Sequence, residues 1–467
     1  MRGYFRIMLN SLKNFVKSNI QKIRSIWFVI TGQLWFTPLL ICFITLAILL
    51  GLTYLEYSQS FLDDIKQNVL ETRLNNSKDI AVALMSSMLT VATLVVSITI
   101  VALSLASSQM GPRLIKAFIA NEKTQIYFGL FFSASASAFY LVFLTHWEGF
   151  ARAHFPLLTI LTAMTYCFSM LFVLMFFVNH VARSCMTDTM IENVSQRLIV
   201  DIKRLVTNQG YLTGLEGERV KEAADRPKRF KYDAGDIKAR KTGYIQFIDF
   251  NPILKTLDKY DAFLEFRFPI GEHVLQDQIL ADIYVEKKKI SETEEFKDDI
   301  DTLKKKIDIG DAPMRTQDLG YSIRHLSEIA MRALSPGIND PITATKVVNE
   351  QIDALSLLFK KDYRLDFIVD DNNVPRIGGN ARSLRDLVGM SLNQIREASF
   401  TRHDLNLYIL KKLRQLSELA INDRQRDMVE EQIGYIEETI ALQQTDSASK
   451  ILKDEVKKSR QFAKSVR

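Results

Sequence analysis

Four long apolar segments dominate the hydrophobic pattern of the first 180 residues. Each reaches the roughly 20 residues that a helix needs to cross a hydrocarbon layer of about 30 Å. They lie at about residues 35–55, 80–106, 126–145 and 157–179. After residue 180 the apolar positions are interspersed with most of the charged residues. The pattern predicts an all-α four-span membrane domain over 35–180, followed by a cytoplasmic α+β domain that is mainly helical.

The second apolar segment carries a stripe of hydroxyl side chains. Its members recur at spacings of three, four and seven residues, the repeat of one helical face. They are Ser86, Thr90, Thr93, Ser97, Ser104 and Ser108. Because an unpaired hydroxyl in hydrocarbon costs free energy, the stripe is expected to face either a neighbouring helix or a water-filled path. The pattern leaves both interpretations open.

None of the four segments has Asp, Glu, Lys, Arg or His in its interior. Proton-coupled pumps and many ion-coupled carriers use buried ionisable residues, so this pattern weighs against such transporters. A channel is still compatible with it, because hydroxyls and apolar constrictions can line a pore. The third segment contains the run Ser-Ala-Ser-Ala-Ser-Ala at 133–138, and small residues of this kind are typical of close helix packing.

The charges beside the spans predict the orientation of the chain. Residues 1–34 contain six lysines and arginines and no acidic residue, whereas the 56–79 loop is acidic. Since positive flanks stay on the cytoplasmic side, both termini are expected there. The 1–34 arm is also amphipathic. It is interpreted either as a helix lying against anionic lipid or as a simple topogenic flank.

The pattern changes again after the fourth span. A helix is predicted at 186–209 and a polar linker up to 240, which together form the segment 181–240. Alternating apolar positions rich in aromatic and β-branched residues then predict a small half-barrel-like β module at 241–290. Its strands are expected at 243–249, 262–268 and 279–285.

The remainder, 291–467, is predicted to be mainly helical. Ser291 begins a Ser-x-x-Glu pattern typical of a capping box, which predicts a helix to about residue 308. One strand pair, 365–369 with 374–377, is expected to interrupt the later helices, because Asp and Asn residues that favour a turn separate the two runs.

Residues 315–344 have the most distinctive sequence, which predicts a helix, a break and a second helix. Pro336 and Gly337 end the first helix. Asp340 is suited to cap the second, with Pro341 at its first position. The buried face of the first helix is expected at Leu319, Ile323, Leu326, Ala330 and Ala333.

The same segment also offers polar groups for a cytoplasmic contact or a ligand site. The candidates are Arg315, Asp318, Arg324, Arg332, Asn339, Asp340 and Thr343. Free N–H groups at a helix start can bind an anion, although the Asp340 carboxylate would compete for them. A structural interpretation, in which the segment is only a helix break and cap, therefore stands beside the binding interpretation.

The stretch Arg332-Ala-Leu-Ser-Pro-Gly-Ile-Asn-Asp-Pro-Ile-Thr-Ala344 resembles the R-A-L-S-P-G-I-N-D-P-x-T-A signature of a bacterial family of predicted membrane proteins, domain of unknown function 2254. The resemblance extends to Ala106-Ser-Ser-Gln-Met-Gly-Pro-Arg113, where members often have Ser-Ser-Gln-Phe-Ser-Pro-Arg. It also covers Ile270-Gly-Glu-His-Val274, where the usual Pro-Gly-Asp-Phe-Val is altered. It implies four N-terminal spans in the bacterial inner membrane and a cytoplasmic tail that works with them as one machine. It supplies no established activity.

Composition narrows the chemistry further. A net charge of +6 over 467 residues gives little reason to expect nucleic-acid binding. The three cysteines form no C-x-x-C pair, which argues against disulfides and a thiolate metal site. No phosphate loop, nucleophile elbow or zinc-protease motif occurs. We therefore expect no enzymatic activity, no catalytic or metal site and no cofactor.

Two functions fit these observations better than a third, a membrane enzyme, for which the sequence offers no nucleophile–base–orienter set or metal cluster. The first is a homo-oligomeric channel for ions or small solutes, in which the second span of each subunit lines the path and the cytoplasmic domain regulates it. Four spans are too few to enclose a pore within one subunit, so this function requires an oligomer. The second is a non-transporting membrane sensor or scaffold whose cytoplasmic domain binds a partner or small ligand. In that case the stripe packs between helices, with each hydrogen bond contributing about 0.6–2 kcal/mol.

Overall fold

The structure is a computed structural model. It describes residues 33–58, 70–110, 118–119, 121–146, 157–207, 228–360, 363, 367–370, 372, 374–441 and 447–465. The chain divides into two compact units, residues 1–186 and 187–467, and each is described here by itself. The basic arm up to residue 32 and the polar stretch 210–227 lie outside the described residues.

The N-terminal unit contains, among its described residues, four helices that are long and apolar enough to span a membrane. These helices confirm the four predicted spans. They are α1 (Phe36–Ser58), α2 (Leu70–Met110), α3 (Glu122–His146) and α4 (Leu157–Ser184). The apolar part of α2 covers Lys78–Ser108, and the helix begins eight residues earlier in polar sequence.

Helix α3 packs against α1, α2 and α4, and its contacts with them are the most extensive among the described spans. Its small residues form the contact surface, and Ser133, Ala134, Ser137 and Ala138 are fully buried. Gly129 allows a close approach of α1, since a Cβ atom there would lie 2.5 Å from Cδ1 of Ile41. The serine and alanine run therefore packs helices together, as its composition predicts.

The C-terminal unit begins with a helix, continues with a mixed α/β part and ends in helices. Its strands are β1 (Tyr232–Lys238), β2 (Gly243–Ile248), β3 (Ala262–Phe266), β4 (His273–Val274), β5 (Ile279–Val285), β6 (Ile307–Gly310), β7 (Phe367–Val369) and β8 (Pro375–Gly378). Its helices are α5 (Thr187–Thr207), α6 (Phe250–Lys259), α7 (Lys288–Ser291), α8 (Glu294–Leu303), α9 (Leu319–Ala333), α10 (Pro341–Lys360), α11 (Leu384–Ala398), α12 (His403–Glu418), α13 (Asp423–Ala441) and α14 (Ser447–Ser465).

The strands form two small sheets, with the orders β1-β5-β3-β8-β7 and β4-β2-β6. Strands β2, β3 and β5 match the three predicted strands, and β7 with β8 is the predicted antiparallel pair. Leu264 of β3 pairs in parallel with Ile377 of β8, so this late hairpin completes a sheet that begins far earlier in the chain. Both sheets contribute to one apolar core.

Helix α5 and helices α9–α14 share a second core. The predicted buried face of α9 is confirmed, because Leu319, Ile323, Leu326, Ala330 and Ala333 are all buried. Leu198 of α5 and Leu355 of α10 are fully buried in the same core. Each such leucine contributes about 1.5–3 kcal/mol relative to an exposed one, which accounts for the packing of α5 against α9 and α10.

The capping box predicted at Ser291 is wrong. Ser291 ends the short helix α7, and its hydroxyl donates a hydrogen bond to the carbonyl of Lys288. Helix α8 starts at Glu294 and leads through a 3-10 turn into β6. The reason is tertiary, because Ile307 is buried in the sheet core and pairs with Ile248 of β2. The structure forms a capping box instead at Ser383 and Asp386, at the start of α11.

Part of the stretch interpreted as a linker is also ordered as a strand. Residues 232–238 form β1, which pairs antiparallel with β5 at the edge of the larger sheet. This strand lacks a regular alternation of apolar residues, and only Ile237 of it is buried. Its position in the sheet therefore depends on the neighbouring strand more than on its own sequence.

Candidate functional site

The hydroxyl stripe of α2 lies on the face of the helix that points away from the other described spans. All six of its members, Ser86, Thr90, Thr93, Ser97, Ser104 and Ser108, are exposed. Met88, Val95 and Ala106, which pack inside the unit, are buried. At 3.6 residues per turn the stripe covers an arc of about 60°, centred roughly 160° from the buried residues. The stripe therefore does not pack against the other described spans of the chain.

Four of the six hydroxyls of the stripe bond to their own helix. Thr90, Thr93 and Ser97 each donate to the carbonyl four residues earlier, at 2.8–2.9 Å. Ser108 donates to the carbonyl of Leu105 at 2.7 Å. Such bonds satisfy the hydroxyl donor without a second helix or water. Hydrogen bonding alone therefore does not decide what the stripe faces, and its position on the outer surface becomes the informative feature.

Polar contacts between the spans use other residues. Ser133 of α3 and Tyr166 of α4 lie 2.6 Å apart, oxygen to oxygen, and the Ser135 hydroxyl donates to the carbonyl of Met88 on α2. Near one end of the spans, Glu56 accepts hydrogen bonds from the backbone N–H and the hydroxyl of Thr159 at the start of α4. These pairs connect the helices of the N-terminal unit to one another.

The first half of the 315–344 segment forms a charged cluster around Asp318. This residue caps α9, accepting from the backbone N–H of Gly320 at 2.8 Å. Its carboxylate also lies 2.5 Å from Arg324 and 3.4 Å from Arg382, and only 1% of its side chain is exposed. Burial raises the pKa of Asp318, while the two guanidinium groups oppose that rise. The cluster stabilises the start of α9.

The second half of the segment lies at the other end of α9 and forms a separate group. Arg332 pairs with Glu328 on its own helix, at 3.3 Å. Asn339 is exposed and adopts a left-handed conformation, with φ of 55°. Asp340 caps α10, accepting from the backbone N–H of Ile342 and from both the N–H and the hydroxyl of Thr343. The α9 helix, about 22 Å long, separates this group from Asp318.

The cap at Asp340 has an electrostatic consequence. Hydrogen bonds from the hydroxyl and the backbone N–H of Thr343 hold the pKa of Asp340 below its usual value. Its carboxylate thus stays ionised and occupies the N–H groups that an external anion would use. The structural interpretation of the Ser-Pro-Gly-Ile-Asn-Asp-Pro stretch accounts for the contacts seen there.

Sequence reasoning missed the partners that come from outside the segment. Arg382, just before α11, pairs with Asp318 and with Glu272, which lies 3.0 Å away on the β4 side. Gly271 makes this approach possible, because a Cβ atom there would lie 2.0 Å from the Asp318 carboxylate. Glu272 belongs to the Ile270–Val274 motif, so the two quoted motifs meet here. No local signal in the sequence links Arg382 to them.

A further cleft of about 330 Å³ lies between α11 and α13. Arg382, Met390, Asn393, Gln432 and Tyr435 are among its lining residues. The buried side-chain oxygens of Asn393 and Gln432 make no hydrogen bond within the described part of the chain. The arginines at its rim are already paired, Arg382 as above and Arg385 with Glu431 at 2.8 Å. No motif or periodicity in the sequence marks these residues.

Four apolar helices and a separately folded α/β unit define this chain as a membrane protein with several spans. It belongs to the family described as predicted membrane protein (DUF2254), whose profile matches residues 31–415. The match covers most of the chain, so the family resemblance seen in the sequence motifs is confirmed. Among the described residues, no group of three or more His, Cys, Asp or Glu side chains is placed to hold a metal ion.

The chain is also similar to uncharacterized proteins of Mycobacterium bovis and Mycobacterium tuberculosis. In each case 25% of 279 aligned residues are identical, over 59% of this chain and 51% of the relative. The aligned part thus spans about half the length of these curated relatives. No solved structure matches the chain.

Proposed function

We propose that this protein is a homo-oligomeric membrane channel in which α2 of each subunit lines the path. The observation that carries the proposal is the outward position of the hydroxyl stripe. All six hydroxyl residues lie on the face of α2 opposite its buried residues. Small hydroxyl side chains on the stretch 80–108 of α2, which contains no charged residue, suit a water-filled path that conducts without proton relays. The C-terminal unit is then the regulatory part, on the cytoplasmic side of a bacterial inner membrane.

A non-transporting sensor or scaffold is the second candidate, and one observation favours it. Because Thr90, Thr93 and Ser97 bond to their own backbone, the stripe needs no water and can pack against an equivalent helix of another subunit. The clefts of the C-terminal unit would then bind the signal. Neither candidate includes an enzymatic step.

The deciding experiment is ion flux through the purified full-length protein in liposomes, at neutral and acidic pH and with and without an osmotic step. Thr93→Leu and Ser97→Leu place bulky apolar groups on the stripe. The matched control is Ser87→Leu, because Ser87 is also exposed and also bonds to the carbonyl four residues earlier. It lies about 85° around the helix from the centre of the stripe.

A channel lined by α2 predicts flux above that of empty vesicles, reduced by Thr93→Leu and unchanged by Ser87→Leu. If every variant and the wild type stay at the background rate as well-folded oligomers, the channel is refuted. In that outcome a loss of oligomer in Thr93→Leu, read by cross-linking, would support the scaffold.

A further inference from the structure

A small cationic cleft lies in the C-terminal unit where α5, β2 and the start of α9 meet. Its volume is about 50 Å³, which limits it to one small ion or chemical group. Arg204 of α5, Phe247 of β2, and Arg315 and Thr316 before α9 are among its lining residues. Asp201 is the single carboxylate among them. The cleft is thus surrounded by more positive than negative charge.

The arrangement of α5 places three charges on one face. Arg197, Asp201 and Arg204 are spaced by four and three residues, so their side chains are neighbours on the helix surface. Arg315 adds a third guanidinium group, 3.6 Å from the Asp201 carboxylate. Neither Arg197 nor Arg204 has a hydrogen bond or an ion pair within 4 Å to any residue that the structure describes. Arg204 and Arg315 line the cleft, whereas Arg197 is exposed beside it and acts on Asp201 only through its charge. Among these described residues, the three cations and one anion together carry a net charge of about +2.

Other polar groups beside the cleft already have partners. The Gln317 side chain bonds to both the N–H and the carbonyl of Ile248, at 2.9 and 3.0 Å. Asp318 is paired with Arg324. These groups therefore do not neutralise the arginines of the cleft. The donors left to it are the guanidinium groups and the Thr316 hydroxyl.

The cleft is also partly shielded from water. Burial raises the pKa of Asp201 even though three arginines oppose that rise. Only 21% of the Asp201 side chain is exposed. Charges interact more strongly where water is partly excluded, and this applies to the Asp201 side of the cleft, since Arg204, Arg315 and Thr316 are exposed.

We propose that this cleft binds the phosphate group of a phosphomonoester. A phosphomonoester carries about −1.5 to −2 charges at pH 7, which matches the excess positive charge, whereas a carboxylate carries only one. Guanidinium forks also match the geometry of phosphate oxygens. Phe247, partly exposed at the rim, is placed to contact the organic part of the ligand. Binding at this cleft does not require transport, so the phosphate-binding proposal can be tested independently of the channel proposal.

The test is calorimetric titration of the full-length protein in detergent with inorganic phosphate and with glycerol 3-phosphate, using acetate as the singly charged control. We expect Arg315→Gln to weaken phosphate binding about tenfold, through loss of a charge-assisted hydrogen bond. Asp201→Asn removes the competing carboxylate and is expected to tighten binding about two- to fivefold. The matched control is Arg267→Gln, because that arginine is also exposed and paired with one aspartate, Asp282, and lines neither cleft.

Opposite effects of Arg315→Gln and Asp201→Asn distinguish binding from a structural role, since misfolding would weaken both. Competition by phosphatidic acid added to the micelles would identify a lipid headgroup as the source, and its absence a soluble ligand. The proposal is overturned if wild type binds neither phosphate probe, if acetate binds as tightly as phosphate, or if Arg315→Gln and Arg267→Gln bind phosphate equally.

Discussion

Thr93 and Thr99 lie on the same helix and make the same hydrogen bond, yet they face opposite surroundings. Each hydroxyl donates to the carbonyl four residues earlier, Thr93 at 2.9 Å and Thr99 at 2.7 Å. Thr99 is buried against the other spans, whereas Thr93 is exposed on the outer face of α2. Because the local bonding is equal, a comparison of the two positions isolates what the outer face contacts.

The first prediction concerns the water accessibility of that face. In a background with Cys42, Cys167 and Cys185 replaced by alanine, we expect Thr93→Cys and Ser97→Cys to react with a membrane-impermeant thiosulfonate reagent. Thr99→Cys and Ser87→Cys should stay unmodified, because one faces the other spans and the other lies off the stripe. Labelling is read by mass spectrometry of the reconstituted protein. Equal labelling of Thr93→Cys and Ser87→Cys would contradict a pore along the stripe.

The second prediction concerns the cap at Asp340. Its pKa is depressed in the folded protein, so its stabilisation is complete above the unfolded-state pKa and is lost as the pH falls through the folded-state pKa. We expect Asp340→Ala to lower the free energy of unfolding by about 1 kcal/mol at neutral pH. Asp340→Asn retains a capping oxygen, so it should lower the free energy of unfolding by less. Because asparagine does not titrate, its stability should also lack the decrease at acidic pH that the Asp340 carboxylate causes. Thermal unfolding of the full-length protein between about pH 3 and 7 measures both effects. An unchanged midpoint in Asp340→Ala at neutral pH would exclude the capping role.

The third prediction concerns the buried guanidinium of Arg376 on β8. Only 5% of its side chain is exposed, and it contacts Asp261 at 2.5 Å, Asp370 at 2.8 Å and Asp258 at 3.2 Å. Arg376→Met would leave the buried carboxylate of Asp370 without its cation. We expect a loss of about 3–5 kcal/mol in the free energy of unfolding.

The control for Arg376 is an exposed pair in the same unit. Arg267 bonds Asp282 with two 2.7 Å contacts, but half of its side chain is exposed. Arg267→Met should therefore cost no more than about 1 kcal/mol. Chemical denaturation of both variants provides the comparison, and similar losses would refute the importance of burial at Arg376.

The fourth prediction contrasts two glycines, each of which lies in a family motif. Gly271 has φ of +87°, and a Cβ atom there would lie 2.0 Å from the Asp318 carboxylate, so Gly271→Ala combines backbone strain with a steric clash. We expect it to lower the free energy of unfolding by about 2–5 kcal/mol. At Gly337 a Cβ atom would meet nothing within 4 Å. Gly337→Ala should be neutral or stabilise by up to about 1 kcal/mol. Thermal unfolding of the two variants measures this difference in stability. Equal unfolding midpoints for Gly271→Ala and Gly337→Ala would contradict the prediction.

Local patterns in the amino-acid sequence predicted much of the fold. Hydrophobic length predicted the spans, and helical periodicity predicted the buried face of α9, because both depend on residues close together in the chain. The helix break at Pro336 and the cap at Asp340 followed from equally local chemistry. By contrast, the sequence patterns did not predict β1 and β6, since short edge strands are stabilised mainly by pairing with a neighbouring strand.

The candidate sites divide in the same way. The spacing of the hydroxyls by itself determined that they share one face of α2, since that follows from helical periodicity. Only the tertiary structure decided that this face is the outer one, because the orientation depends on the packing of α2 against α3 and α4. The sequence likewise offered Arg315 and Asp318 as neighbours. In the structure these two residues belong to different charged groups. Arg315 pairs with Asp201 of α5, whereas Asp318 pairs with Arg324 and Arg382. Asp201 and Arg382 are distant from them in the chain, so local sequence patterns do not predict these contacts.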